Sequence, residues 1–213
     1  MSLAWLVVSG VGLAIVVASI GAARRPDIPR WEARVFHAIN GLPGWLYCLV
    51  WPPMQLGNLV VGTLVGLASA WVAREPAVAV GVILAMILKL VTERIVRREM
   101  KAYLAVRERP GSSQQGSVLR GGDVPAQGAS FPSGHVILVA AIGCVVAPTL
   151  PLEWVWAPFL LTVLVMLGRV YVGAHNPLDV TAGLGAGLLL GGVVAGLVGR
   201  DELPVGHAVW LSP

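Results

Sequence analysis

Charged side chains are scarce in this sequence. They make up 12% of its 213 residues, whereas 56% are hydrophobic and the mean hydropathy is +0.79. Soluble domains carry roughly a quarter charged residues, so the deficit argues against a water-soluble enzyme and indicates lipid as the main solvent. The length suits one compact unit without a separate soluble catalytic domain. We therefore predict that residues 1–213 form a single integral membrane domain.

Cysteine is almost absent as well, and so are the spacings that bind metals. Cys48 and Cys144 lie in apolar runs without a CxxC or CxxH pattern, which is typical of small core residues rather than a disulfide or a zinc site. The sequence carries no nucleic-acid module, repeat or low-complexity segment. The net charge of +4 and the pI of 9.6 instead favour an anionic partner, such as a membrane surface or a phosphorylated lipid.

What the sequence does have is a series of apolar runs. A crossing helix needs ~20 mostly apolar residues. The first run lacks the basic start and the small-residue cleavage site of a signal peptide, so we expect it to be retained. The pattern predicts an all-α fold, a six-transmembrane-helix bundle with its active site at one membrane interface. The expected spans are residues 3–22, 54–73, 77–96, 135–149, 155–172 and 179–198.

The segments around these spans carry their own signals. Residues 24–40 alternate basic, acidic and aromatic side chains, which favours a position along the interface. The Pro52-Pro53 pair predicts a break between a short helix and the second span. From Glu93 to Asp123 there are seven basic and four acidic residues, which predicts an irregular loop. With six spans, this loop and the fifth-to-sixth connection share one membrane face. The glycine-rich sixth span (GLGAGLLLGG) allows close helix packing.

Three motifs fall on that face. The first runs from Lys101 to Arg109-Pro110, the second is Ser-Phe-Pro-Ser-Gly-His ending at His135, and the third runs from Arg169 to Asp179. Together they contain what phosphoryl transfer needs. Arginines bind phosphate oxygens bidentately, a glycine lets the backbone approach, and two histidines can divide nucleophilic and acid roles.

Position along the helices suggests a role for each group. Ser133 precedes a helix, so its hydroxyl and the free amides behind it form an anion site, where His135 can protonate a departing alkoxide. His175 precedes Asn176-Pro177, a good helix start. Asp179 lies one turn further on and can orient the imidazole, which leaves the other ring nitrogen to attack phosphorus.

Each residue also has a plainer interpretation. Ser133 alone reads as a helix cap, Asp179 as an acidic residue at a helix start, and each histidine as a packed interfacial side chain. Arg169 is harder to explain in this way, because it interrupts an apolar run where a charge is costly. Lys89 also lies in an apolar run, but Glu93 one turn on predicts a structural ion pair. The catalytic interpretation is favoured because the plain ones require five coincidences on one face.

The motifs resemble the signature of the type 2 phosphatidic acid phosphatase superfamily, whose pattern is Lys-x6-Arg-Pro, Pro-Ser-Gly-His and Ser-Arg-x5-His-x3-Asp on a six-helix membrane fold. Residues 132–135 match the second motif, and three residues of the third match with the right intervals. The resemblance implies a phosphohistidine mechanism without metal or cofactor, with His175 as nucleophile, Asp179 as its partner and His135 as acid. It implies that the phosphate is held by Lys101, Arg109, Ser133, Gly134 and Arg169.

The chain departs from the pattern in two places. Seven residues, not six, separate Lys101 from Arg109, and one extra residue turns a helix by roughly 100°. Either the helix ends between them, or Arg107 or a residue nearer Arg97 takes the place of Lys101. Gly168 stands where the family has serine, which removes one hydroxyl donor.

The resemblance implies a lipid substrate of phosphatidic acid, phosphatidylglycerol phosphate, diacylglycerol diphosphate or polyprenyl (di)phosphate type. We expect a multi-pass protein of the cell (plasma) membrane whose partners are this substrate and the bilayer; the oligomeric state stays open. Four arginines within residues 24–34 favour a cytoplasmic face, whereas many bacterial relatives face outward, so orientation stays open. Three alternatives remain: a lipid-phosphate phosphotransferase, a non-enzymatic lipid-binding or transport protein, and a metal enzyme with His135, His175 and Asp179 as ligands.

Overall fold

The computed structural model describes residues 1–24, 27–103, 107–122 and 124–198, except the side chains of residues 97 and 100–103. Within these ranges the chain forms α-helices, short 3-10 turns and one isolated bridge, and no strand. The all-α class is thereby confirmed. The helices are α1 (Leu3–Ala23), α2 (Arg30–Asn40), α3 (Tyr47–Met54), α4 (Leu59–Val72), α5 (Pro76–Tyr103), α6 (Pro110–Ser113), α7 (Gly134–Val146), α8 (Ala157–Tyr171) and α9 (Pro177–Leu197).

Fewer than the predicted six helices are long enough to cross a membrane. In the described part of the chain, four segments are long and apolar enough to cross: α1, Pro76–Val96 of α5, α8 with its preceding turn, and α9. A fifth is obtained if Gly44–Gly57 and α4, which meet at a bend of 73°, count as one span. The apolar segment Gly134–Thr149, which contains α7, is shorter.

Helix α7 forms the centre of the bundle. Every residue from Val136 to Val146 is buried, because α4, α5, α8 and α9 all pack against it. Its core contacts are aliphatic, with Leu138 and Val145 packed among Val82 of α5 and Val194 of α9. A helix that is apolar all round has to be enclosed in this way.

Helices α1 and α9 lie in close contact along their length. A Cβ atom added to Gly12 would overlap the backbone of Leu189 and Gly185, and one added to Gly185 would lie 2.9 Å from the Gly12 carbonyl oxygen. The expectation that the glycine-rich last helix packs closely is therefore confirmed. Glycine is required here because the two backbones approach too closely for any side chain.

Two sequence-based predictions about local structure are wrong. Helix α3 runs through Pro52 and Pro53 and ends at Met54; the sharp bend comes later, at Asn58, whose side chain accepts hydrogen bonds from the Val60 and Val61 amides at 3.0 and 3.4 Å. Two prolines remove only two donors from a short helix, whereas an asparagine cap starts a new helix in a new direction.

The charged segment after residue 93 is also not a loop at its start. Helix α5 continues to Tyr103 over 28 residues, which is about 42 Å at 1.5 Å per residue. From Glu93 to Tyr103 there is no glycine or proline, and Arg, Glu, Met and Lys favour helix. Further on, the segment folds back through a bridge between Glu108 and Ala129.

Helix α2 packs on α8 and α9. Glu32, Phe36 and Asn40 are buried at intervals of four residues, whereas Trp31 and Val35 are exposed. Helix α2 is therefore a docked amphipathic helix whose buried face carries two polar side chains.

Candidate active site

The third motif forms the turn between α8 and α9. The carbonyl oxygen of Arg169 accepts hydrogen bonds from the amides of Ala174 (3.0 Å) and His175 (3.3 Å), while Gly173 adopts a left-handed φ of 78° that favours glycine. Helix α9 then begins at Pro177 with Asn176 as its cap, as predicted. The Asn176 amide donates to Asp179 Oδ2 at 2.8 Å, which completes a capping box.

This turn brings His175 beside Asp179. His175 Nδ1 lies 3.8 Å from Asp179 Oδ2, which is too long for a hydrogen bond but close enough for strong electrostatic attraction. Both side chains are buried. Asp179 therefore serves the helix start and neighbours the imidazole at the same time, so the plain and the catalytic interpretations of this residue are compatible.

The second motif starts α7 against α9. Ser133 is the cap residue, and its amide donates to the Asp179 carbonyl oxygen at 3.0 Å. Its hydroxyl is buried and makes no hydrogen bond within the described residues, so it does not cap the helix by its side chain. His135 is half-buried and packs on Gly57, where an added Cβ would lie 2.6 Å from His135 Cβ.

Gly134 has no space for a side chain. An added Cβ would overlap the carboxylate of Glu93, which pairs with Lys89 at 2.9 Å. The predicted Lys89–Glu93 ion pair is thereby confirmed. It lies directly against the start of α7, close to the second motif.

The first motif is divided between a helix and an extended segment. Arg109 has extended backbone angles and donates from Nη1 to the Ala174 carbonyl oxygen at 2.9 Å. The backbone of Lys101 belongs to α5, so the two residues do not share one helix; the Lys101 side chain lies outside the described residues. Arg107, weighed as a substitute for Lys101, is fully buried and pairs with Glu32 and Asp179.

Electrostatics link the groups further. Burial lowers the pKa of His175 below its usual 6.5, Asp179 opposes this, and the positive charges of Arg169 and Arg109 lower it further. His135 interacts electrostatically with His175 and with both of these arginines. The side chains of the second and third motifs and Arg109 thus form one cluster. A neutral imidazole is the form able to act as a nucleophile.

Several residues around this cluster were not found from the sequence. Asn40 donates to the carbonyl oxygens of Val118 (2.8 Å) and Tyr171 (2.9 Å), and Gln114 donates to the Asn176 side chain at 3.0 Å. Glu32 binds Arg107. The four-residue spacing of Glu32, Phe36 and Asn40 places them on one helical face. This spacing was the sequence signal for a common buried face of α2.

Comparison with known proteins identifies the family. The pattern of the PAP2 superfamily matches residues 77–202, which is more than half of the chain and includes all three motifs. The chain belongs to the PAP2 superfamily. The resemblance stated from the motifs is confirmed.

One protein of known name is similar to this chain in sequence over a short region. An undecaprenyl-diphosphatase of Sulfolobus acidocaldarius is 46% identical over 55 residues, which is 25% of this chain and 26% of the relative. The match thus spans about a quarter of that protein's length.

Two crystal structures resemble the fold. LpxE of Aquifex aeolicus has a TM-score of 0.63 and 25% identity, with 76% of this chain and 92% of that one covered. The PAP2-type phosphatidylglycerolphosphate phosphatase of Bacillus subtilis has a TM-score of 0.61 and 20% identity, with 93% and 97% covered. The second likeness, at this identity, concerns the fold alone.

Positive charge, rather than a set of metal ligands, surrounds the two histidines. Within the described ranges, no group of three or more His, Cys, Asp or Glu side chains is placed to hold one metal ion. Arg169 and Arg109 instead surround the histidines with positive charge, which suits an anion.

Proposed function

We propose that this PAP2 protein hydrolyses the phosphomonoester or diphosphate of a membrane lipid through a phosphohistidine at His175, without a metal. The observation that carries the proposal is the convergence at one end of the bundle of a buried histidine–aspartate pair, a second histidine and two arginines. His175 and Asp179 are 3.8 Å apart, and Arg109 and Arg169 act electrostatically on both histidines.

The chemistry follows from which ring nitrogen is free. Asp179 faces Nδ1 of His175 and favours a proton there, so the lone pair for attack is on Nε2. Attack forms the Nε2–P bond and breaks the bond from phosphorus to the leaving oxygen, which takes a proton from the protonated imidazole of His135 and leaves it neutral. Water then attacks phosphorus, the N–P bond breaks, and the proton of the water returns to His135.

The phosphate would be held by positive charge and by free amides. Arg109 and Arg169 neutralise the non-bridging oxygens. The first-turn amides of α7, from Gly134 onward, have no partners inside the helix and add backbone donors at its positive end. The Ser133 hydroxyl, buried and without a hydrogen bond within the described residues, supplies one more donor. Lys101 stays a candidate for this cradle through the family motif.

An apolar cavity supports a lipid substrate. It has a volume of about 180 Å³ and lies between α4, α7 and α8. Its lining begins at Leu56, next to the Gly57 that packs on His135, and continues along α4 to Ser69. A hydrocarbon chain can lie there while the phosphate reaches the histidines. We therefore propose a lipid phosphate or diphosphate of the phosphatidic acid, phosphatidylglycerol phosphate or polyprenyl type.

We further propose six membrane crossings within one domain, in the plasma membrane. Five follow if α3 and α4 count as one bent span, and α7 with its following turn is the sixth. That segment, Gly134–Thr149, extends about 24 Å, less than the ~30 Å of a hydrocarbon core. Because neighbouring helices enclose it, its ends do not have to meet lipid.

The test is phosphate release by the detergent-purified protein from phosphatidic acid and from a polyprenyl diphosphate, with EDTA present. We expect metal-independent turnover that falls by at least ~10³-fold in His175→Ala and is unchanged in His37→Ala, since His37 is exposed on α2. Turnover abolished by EDTA would indicate a metal enzyme. Release that requires an added alcohol acceptor would indicate a phosphotransferase. Equal inertness of the native protein and the variant on every lipid would favour a binding or transport protein.

A further inference from the structure

Three charged side chains from distant parts of the chain meet in the interior next to the site. Glu32 of α2, Arg107 and Asp179 of α9 each have no exposed surface. Arg107 Nη2 donates to Glu32 Oε1 at 2.7 Å, and Arg107 Nε donates to Asp179 Oδ1 at 3.2 Å. The guanidinium thus bridges the two carboxylates, and the trio carries a net charge of one negative.

Glu32 also holds the start of α9 directly. The same Oε1 atom accepts the amide of Leu178 at 2.9 Å. Leu178 is the residue before Asp179, in the first turn of α9, where backbone amides lack partners inside the helix. One carboxylate from α2 therefore fixes both the arginine and the backbone on which Asp179 is carried.

We infer that Glu32 is a positioning residue for phosphoryl transfer: through Arg107 and the start of α9, it holds the Asp179 carboxylate beside His175 and keeps the charge of the trio negative. The inference rests on the proposed function of His175. Glu32 itself does not touch His175 or the substrate.

Charge balance explains why an acid is needed at this position. Arg107 paired with Asp179 alone would neutralise that carboxylate, and a neutral pair stabilises a cationic imidazole poorly. Glu32 shares the guanidinium and leaves the trio with one negative charge. His175 becomes cationic when it forms a bond to phosphorus, so this charge favours the intermediate.

Packing alone does not explain the trio. Burying charges is costly, and well-packed apolar residues of similar volume often stabilise a fold as much or more. Phe36 on the same face already anchors α2 in an apolar cluster with Val136 and Val180. A buried acid beside it indicates a requirement for charge.

The charges around His175 come from every neighbouring element, and the test must change only one of them. Those in direct electrostatic range are Asp179 on α9, Arg169 on α8, Arg109 beside α6 and His135 on α7. Glu32 and Arg107 act on His175 through Asp179. Glu32→Gln keeps the shape and an oxygen for Leu178 while it removes the charge.

The experiment follows kcat, KM and the pH dependence of kcat/KM on one lipid phosphate for the native protein and three variants. In Glu32→Gln the trio becomes neutral, so we expect kcat to fall ~10-fold with KM within ~2-fold, and the acid limb to move to lower pH by about half a unit or more. In Arg107→Gln the trio gains negative charge, and the acid limb moves to higher pH. The double variant restores the net charge and returns the limb toward the native position. Titration of the substrate is common to all four proteins.

Glu153→Gln, an exposed carboxylate in the turn before α8, is the matched control and retains native kinetics. If the native protein turns over but both single variants keep its pH profile, or shift it in the same direction, the inference is overturned. If the native protein is inert, the proposed function fails and this inference with it.

Loss of folding is handled by a second replacement. Should Glu32→Gln not fold, the apolar pair Glu32→Leu with Arg107→Met tests the positioning role, since such exchanges commonly preserve folding. A folded double variant with native kcat overturns the inference. A folded variant with kcat reduced ~10-fold or more at nearly unchanged KM supports it.

Discussion

In the proposed mechanism the chemistry depends on His175, whose environment sets the pH range in which the imidazole is neutral. Burial lowers its pKa below 6.5, and Arg169 and Arg109 act in the same direction, against Asp179. The neutral form is therefore present at neutral pH and remains present as the pH falls through the range in which an exposed histidine becomes protonated.

A pH profile of kcat checks this shift. We expect phosphate release at saturating substrate to stay constant or to rise as the pH falls from about 7.5 to about 6, because the nucleophile becomes protonated only below its lowered pKa and the proton donor His135 is favoured by acid. The acid limb should lie below the ordinary titration range of histidine. An acid limb at which kcat falls to half near pH 6.5, caused by protonation of His175, would contradict the account.

At the scale of elements, the close contact between α1 and α9 depends on individual glycines, which have no side chain. Gly12 and Gly10 lie two residues apart in α1, yet their surroundings are opposite. A Cβ at Gly12 would overlap the backbone of α9, whereas none of the protein lies within 4 Å of a Cβ at Gly10. The pair offers a direct comparison of packing with helix propensity.

We expect Gly12→Ala to lower the thermal unfolding midpoint in detergent, because the added methyl forces the helices apart at a cost of about 1–3 kcal/mol. In Gly10→Ala the same methyl faces open space, so the midpoint should stay or rise, as alanine favours helix by about 0.5–1 kcal/mol. Equal midpoints for the two variants would show that α1 does not pack on α9 in this way.

At the scale of the molecule, hydrogen bonds hold the segment after α5 against the connection between α8 and α9. Asn40, with 1% of its surface exposed, links α2 to both. Its Nδ2 donates to the carbonyl oxygens of Val118 and Tyr171, and its Oδ1 accepts the Val118 amide at 2.8 Å. Arg120 adds a second tie, with a hydrogen bond of 2.8 Å to the Tyr171 carbonyl oxygen.

Asn40→Ala should therefore destabilise the fold by about 1–3 kcal/mol, since it removes three hydrogen bonds made by a buried side chain. Thermal unfolding in detergent measures the effect, and Gln115→Ala, which removes an exposed side chain from the same segment, should leave the midpoint unchanged. If both variants unfold at the native temperature, these hydrogen bonds do not hold the segment in place.

Prediction from the sequence succeeded where the signal was local. Asn176, Pro177 and Asp179 lie within four residues, so their helix start was predictable, and the spacing of Lys89 and Glu93 predicted their ion pair. It failed for a distant pairing that no motif indicates. Arg107 meets Asp179 72 residues away and Glu32 75 residues away, and no periodicity in the sequence indicates such a meeting.

The helices were predictable to the same extent. Apolar runs indicated where helices lie. The charged residues after residue 93 were predicted to form a loop, although the same residue types favour helix. The bend was assigned to Pro52 and Pro53 rather than to the cap at Asn58. Helix propensity decides the length of α5, and a helix cap decides where the bend lies; residue composition indicates neither.

The proposed mechanism requires a covalent phosphate on His175, which can be trapped. The native protein, mixed with a lipid substrate labelled in its phosphate and quenched in base within one turnover, should carry label on the peptide that contains His175. The label should be stable in base and lost in acid, as expected for an N–P bond, and absent in His175→Ala. Turnover without any labelled peptide, or label on His135 instead, would contradict the account.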